Sequence, residues 1–107
     1  MSIKNKVQLI GHVGDDVNVI TTKDNKKVAN FSLATNENYT AKNGEKKEST
    51  QWHNIVAWGK TAEIIQNLEI KKGSKIAVSG KLTYSSWESE ETTKYKTEIL
   101  IDSILKL

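Results

Sequence analysis

Cysteine, proline and arginine are all missing from this chain of 107 residues, and each absence removes a class of explanation. Without a thiol there is no disulfide staple and no thiolate metal site, and a reducing compartment, the cytoplasm, is expected. Without proline, turns fall to Gly, Asn and Asp. Without arginine the chain lacks the planar fork that reads guanine edges bidentately. All 16 basic residues are lysine, a mobile point charge suited to phosphate, against 13 acidic residues for a net charge of +3. If the partner is a nucleic acid, this set favours backbone contact over base readout, although any one lysine is equally a solvating group. Long apolar runs are missing too. None approaches the roughly 18 residues of a membrane helix, and the start Met1-Ser2-Ile3-Lys4-Asn5-Lys6 lacks the apolar stretch of a secretory signal.

What is present is mostly alternation. Val7, Leu9, Gly11 and Val13 alternate with Lys6, Gln8, Ile10 and His12, the period of a strand, bending near Gly11. Gly14-Asp15-Asp16 signals a turn, Val17 to Thr22 resumes an extended pattern, and Lys23-Asp24-Asn25-Lys26 signals a second turn. Ala29, Phe31 and Leu33 mark a strand with one apolar face. The polar stretch 36–50 holds Asn43-Gly44, a strong hairpin signal, and reads as a long hairpin loop projecting from the body. Residues 51–59 form the next strand.

The period then changes. Ala62, Ile65 and Leu68 recur every three residues, predicting a short helix from Thr61 to about Glu69, with Thr61 as N-cap and Lys71-Lys72-Gly73 as its stop. Ile76, Val78, Gly80, Leu82 and Tyr84 alternate again, residues 85–94 make a second projecting hairpin, and Tyr95 to Leu105 close the chain, its Ile99-Leu100-Ile101 run suggesting burial on both faces. The length suits one domain, 1–107. The order β-β-β-α-β-β, with the first strand and its hairpin extension counted together, predicts an all-β, five-stranded Greek-key barrel of the OB-fold type, its one helix between barrel strands three and four.

Trp52 and Trp58 have the same parity in one strand, so they share a face with Asn54 and Val56, while Gln51, His53, Ile55 and Ala57 take the other. Neither set is purely apolar, so parity does not decide which is inside, and a tryptophan in a strand is commonly a core residue. A small barrel has little room for several indoles, and Tyr39 and Trp87 sit in polar stretches. Lysines are interleaved: Lys42, Lys46 and Lys47 follow Tyr39, Lys60 follows Trp58, and Lys94 and Lys96 follow Trp87. Exposed rings among lysines are the composition of a single-strand groove, where each stacked base contributes roughly 1–3 kcal/mol.

Four segments then carry a resemblance: 5–11 (NKVQLIG), 28–35 (VANFSLAT), 52–60 (WHNIVAWGK) and 72–82 (KGSKIAVSGKL). In this order they resemble the bacterial single-stranded DNA-binding protein family over roughly Asn5 to Leu105. The resemblance implies sequence-nonspecific binding and protection of single-stranded DNA in replication, recombination and repair, in a cytoplasmic, nucleoid-associated homotetramer built as a dimer of dimers through the first strand. By position it assigns the family's four stacking places to Tyr39, Trp52, Trp58 and Trp87, and its basic groove to Lys42, Lys60, Lys72 and Lys94. His53 falls at a position tied to subunit packing.

There are two departures. Thr83, Ser85 and Ser86 stand where some members carry basic residues, with Glu88, Glu90 and Glu91 following, which weakens local attraction for phosphate. The chain also ends at Leu107 without the linker and acidic tip that recruit partners in the family, so tail-mediated recruitment is not expected. Two histidines without cysteine do not make a metal site, and no nucleophile–base pair or cofactor motif is visible. An enzyme is therefore not expected. The rival reading is an OB-fold module that holds RNA or a protein.

Overall fold

The computed structural model describes residues 4–107, so Met1, Ser2 and Ile3 lie outside the described residues. Seven elements follow in chain order: β1 (Val7–Val13), β2 (Asn18–Thr21), β3 (Lys27–Thr40), β4 (Lys46–Trp58), α1 (Lys60–Asn67), β5 (Lys75–Ser89) and β6 (Thr92–Lys106). The expected barrel is present. β1 pairs with β5 along Val7↔Gly80 to His12↔Lys75, then bends to pair with β3 at His12↔Ala34 and Val13↔Leu33. That bend closes the order β1-β5-β6-β4-β3 on itself. A short parallel pairing, Ile55↔Ile99 and Val56↔Leu100, joins β4 to β6. β2 pairs only with β3 and stands outside the closed ring. The single helix falls between β4 and β5, the third and fourth of the five barrel strands.

Alternation builds the core. Val13, Ala29, Phe31, Leu33, Ile55 and Ala57 are buried, joined by Ile76, Val78, Ile99 and Ile101, while α1 plugs one end with Ala62 and Ile65. Two glycines allow close strand approach. A Cβ on Gly11 would overlap the carbonyl oxygen of Ala34, and one on Gly80 the carbonyl oxygen of Leu100. At Gly80 the register also slips: Ser79 faces Ser103 but Gly80 faces Ile101, leaving Asp102 as the extra residue of a bulge. The slip lets Ile99, Ile101 and Ile104 all lean toward the core despite their mixed parity.

Four sequence expectations need correction. Thr61 is not the N-cap. Gly59, at φ 58, turns the chain straight from β4 into the helix without a side-chain cap, and Thr61 lies inside the helix. The helix also ends before the lysine–glycine stop. Glu69 takes the left-handed position at φ 53, and the buried Ile70 follows it, with its N–H donating to the Ile65 carbonyl at 3.5 Å. Burial of Ile70 outweighs the local preference for glycine at that position. Tyr84 continues the alternation of Ile76 to Leu82 but is 74% exposed, because β5 has left the barrel by then. Leu100 is half-buried on the outer face rather than enclosed on both sides.

The two polar stretches read as loops are mostly strand. The β3–β4 ladder runs unbroken from Val28↔Trp58 to Thr40↔Lys46, and the β5–β6 ladder runs on to Ser89↔Thr92. Polar composition concealed this because neither face of such an arm meets a core. Gly44, at φ 86, follows a turn in which its N–H donates to the Ala41 carbonyl, and the Glu45 N–H donates to Asn43 Oδ1 at 3.1 Å. The second arm turns on Glu90 and Glu91, at φ 44 and 76. Both values are positive, the condition of a type I′ turn, which favours Asn-Gly. The left-handed region costs a side-chain-bearing residue about 1 kcal/mol or more. Replacing Glu90-Glu91 by Asn-Gly is therefore expected to stabilise this arm by about 1 kcal/mol, seen as a several-fold slowing of amide exchange at Trp87 and Ser89; unchanged exchange would count against the strained turn.

Candidate nucleic-acid interface

Alternation along β4 settles the question the sequence left open. Ile55 and Ala57 are 1% and 0% exposed, whereas Trp52 and Trp58 are 63% and 48% exposed. Both indoles stand on the outer face. Register extends that face sideways. Ser32 and Ala34 of β3 lie opposite Asn54 and Trp52. On β6 and β5, Lys96 lies opposite Ser85, Glu98 opposite Thr83 and Leu100 opposite Lys81. Asn30, Ser32, Asn54, Lys96 and Glu98 line one shallow groove between the strands. Within it Lys96 Nζ lies 3.2 Å from Glu98 Oε2, so a carboxylate already occupies part of that lysine's field.

Trp87 is 45% exposed and lies directly opposite Lys94 on the β5–β6 arm, so ring and cation share a face. Tyr39 is 51% exposed and opposite Lys47 on the other arm. With no bulge in that ladder, Tyr39 has the parity of Leu33 and His53, opposite to Trp52. The tyrosine is thus not coplanar with the tryptophan face.

The four basic positions are spread around this surface, all exposed. Lys42 is in the turn of the first arm, Lys60 opens α1 beside Trp58, and Lys94 is beside Trp87. Lys72 is brought toward Trp52 through the backbone. Gly73 N–H donates to the Val13 carbonyl at 2.8 Å and Val13 N–H to the Ser74 carbonyl at 2.9 Å, which sets the Lys72 turn against the end of β1, one residue from Gly14. His53 faces inward, its Nε2 2.9 Å from Thr35 Oγ1.

Gly14 supports the Trp52 ring. A methyl group there would overlap indole Cζ3 and come within 3.1 Å of Cε3. The segment is held by Gly14 N–H donating to the Ser32 carbonyl at 2.9 Å and by Ser32 N–H donating to Asp15 Oδ1 at 3.2 Å. Asp15-Asp16 thus serves a turn that braces the ring. The sequence reading missed this, and also Tyr84 and Tyr95, which are diagonal neighbours on the far face of the second arm, the latter 79% exposed. Their only sequence signal is aromatic character within a polar stretch.

Flat exposed rings, hydroxyls and lysines on the outer face of an OB barrel define a class: a binding module for extended, planar, anionic chains. The comparisons make the class specific. The model of the single-strand binding protein family matches residues 4–107, and the chain belongs to that family. Single-stranded DNA-binding protein 1 of Chlorobaculum tepidum is 44% identical over 98 residues, covering 90% of this chain and 60% of that protein. This chain therefore spans about 60% of that relative's length. Among solved structures, a Plasmodium falciparum SSB in complex with ssDNA superposes with a TM-score of 0.86 at 32% identity, covering 100% of this chain and 97% of that one. A deletion mutant of the Thermus aquaticus single-stranded DNA binding protein gives 0.85 at 27% identity, over 96% of this chain and 50% of that one.

Gly14→Ala is expected to displace the Trp52 ring without unfolding the barrel, because a half-free ring tilts into solvent more cheaply than the about 1–3 kcal/mol of an overpacked core. With Trp58 and Trp87 replaced by Phe, the emission maximum of Trp52 should shift while the far-ultraviolet circular dichroism stays fixed; an unmoved maximum would refute the Gly14–indole packing.

Proposed function

We propose that this chain binds single-stranded DNA without sequence preference and shields it during replication, recombination and repair, and that it catalyses nothing. One observation carries the reading: the rings of Trp52, Trp58 and Trp87 stand open to solvent on strands of an OB barrel, each with lysine nearby. Every base has a π-face, so stacking tolerates any sequence. The all-lysine set adds phosphate attraction without a fork for base edges. That one relative is named a single-stranded DNA-binding protein and another was solved with ssDNA supports the choice of DNA over RNA or a protein.

In this reading Tyr39, Trp52, Trp58 and Trp87 stack bases. Lys42, Lys60, Lys72 and Lys94 hold phosphates. Glu88, Glu90 and Glu91 flatten the salt dependence at the tip of the second arm. Residues 1–107 act as one domain, in the cytoplasm. No helix among the described residues is long and apolar enough to cross a membrane.

Assembly follows from the opposite side of the barrel. Ile10 and Leu105 are 62% and 61% exposed and line one apolar groove with Ala77 and Leu9. Large apolar side chains clustered on a β-face suit a homotetramer. His53, bonded to Thr35, has a structural role here.

Titration with single-stranded DNA is expected to quench tryptophan fluorescence strongly, with affinity falling as salt rises and varying less than tenfold among heteropolymers. Trp52→Ala should weaken binding by about tenfold or more, and Trp58→Phe by clearly less, because only the first removes a plane; equal losses would oppose the stacking account. Sedimentation should give a particle of about four times 12.0 kDa; a monomer at micromolar concentration would reject the tetramer.

A further inference from the structure

We propose that the groove beside Trp58 is a further nucleotide subsite, in which the strand leaves the tryptophan face, crosses Leu100 and places a phosphate between Lys6 and Lys81. The inference rests on the single-stranded DNA reading and names a path that the four stacking positions and four lysines do not include.

Register fixes the direction. On the outer face Asn30 lies opposite Val56, Val56 beside Leu100, and Leu100 opposite Lys81, so one row of side chains runs across β3, β4, β6 and β5. Trp58 flanks this row, two residues beyond Val56 on the same face of β4. The groove holds about 520 Å³, within the about 300–1,000 Å³ of ligand sites. The indole of Trp58 walls one end, Leu100 and the side-chain-free Gly80 lie along it, and Lys6 and Lys81 stand at the other end. An aromatic wall, an apolar floor and a cationic rim match a nucleotide part for part: base, sugar, phosphate. Thr61, Ser79 and Ser103 add hydroxyls along the way.

The cationic end is built. Asn5 Nδ2 donates to the Leu82 carbonyl at 3.0 Å, and Leu82 N–H donates to Asn5 Oδ1 at 3.0 Å. This pair of hydrogen bonds makes the Asn5 side chain a substitute for a strand partner and holds the chain just before β1 against β5. Val7 pairs with Gly80, so the next residues outward, Lys6 and Lys81, come together at the groove. Like charges across neighbouring strands repel, and a phosphate between them turns that repulsion into attraction on both sides. Asp102, the one carboxylate among the groove's lining residues, belongs to the β6 bulge. It disfavours a phosphate at its own position.

The test compares Lys81→Gln and Lys81→Glu with the parent protein, titrated with oligothymidylates of increasing length and followed by tryptophan fluorescence. Lys75→Gln, six residues back along β5, controls for net charge. For long oligothymidylates Lys81→Gln should weaken binding about threefold to tenfold, and Lys81→Glu should weaken it more. The slope of log affinity against log salt should fall by about 0.7 for each phosphate left without its lysine. Oligomers too short to pass Trp58 should bind all variants alike. The inference is overturned if both Lys81 variants match the parent in affinity and slope at every length, or if Lys75→Gln weakens binding as much as Lys81→Gln. In either case a persisting defect in Trp52→Ala leaves the single-stranded DNA reading standing. A parent that binds no oligothymidylate removes both.

Discussion

The strict two-residue alternation of β4, locked by its unbroken ladder with β3, is the constraint on which the rest depends. Along this one strand the same backbone delivers Ile55 and Ala57 to the core and Trp52 and Trp58 to solvent. A slip of one residue would exchange the two sets, placing indoles in a space filled by aliphatics and aliphatics against water. Burial of one face therefore fixes the exposure of the other, and the interface is a by-product of core formation. The neighbouring strands obey the same register, which is how Lys81, Leu100 and Lys96 come to lie on the tryptophan side.

Much of this was legible in the residues. Alternation from Val7, Ala29 and Ile76 located the barrel strands because those segments have one apolar face. The helix showed itself by the change of period at Ala62, Ile65 and Leu68. Its ends did not, because Gly59 and Ile70 answer to tertiary placement rather than to local propensity. The arms were legible as hairpins but not as strands, since with polar residues on both faces alternation has no contrast. Tyr84 misled for a related reason: its parity is that of the core strand behind it, but the barrel stops short of it.

The aromatic positions were recognisable by type and by resemblance, yet their geometry was not. Which face of β4 lies inside cannot be decided from a strand whose two sets are both mixed. Gly14 as a seat for an indole depends on packing between residues far apart in sequence. So does the Lys6–Lys81 juxtaposition, which requires the pairing of β1 with β5 to be known. Charge is the weakest guide of all. A net +3 says little, whereas the places where lysine meets a ring or another lysine say more.

The paired arms have a consequence for how relatives of this chain can diverge. The barrel core ends near Leu82 and Ile99, and beyond it the β5–β6 ladder continues as a free-standing ribbon in a molecule 55 Å along its longest axis. Ribbon length is therefore open to change without disturbing the packed interior. The change is quantised, however. Adding one residue to each strand turns everything distal to the insertion over to the reverse side, while adding two to each restores it. The footprint of such a protein should grow or shrink in steps of about four residues per hairpin, with odd steps needing a compensating bulge.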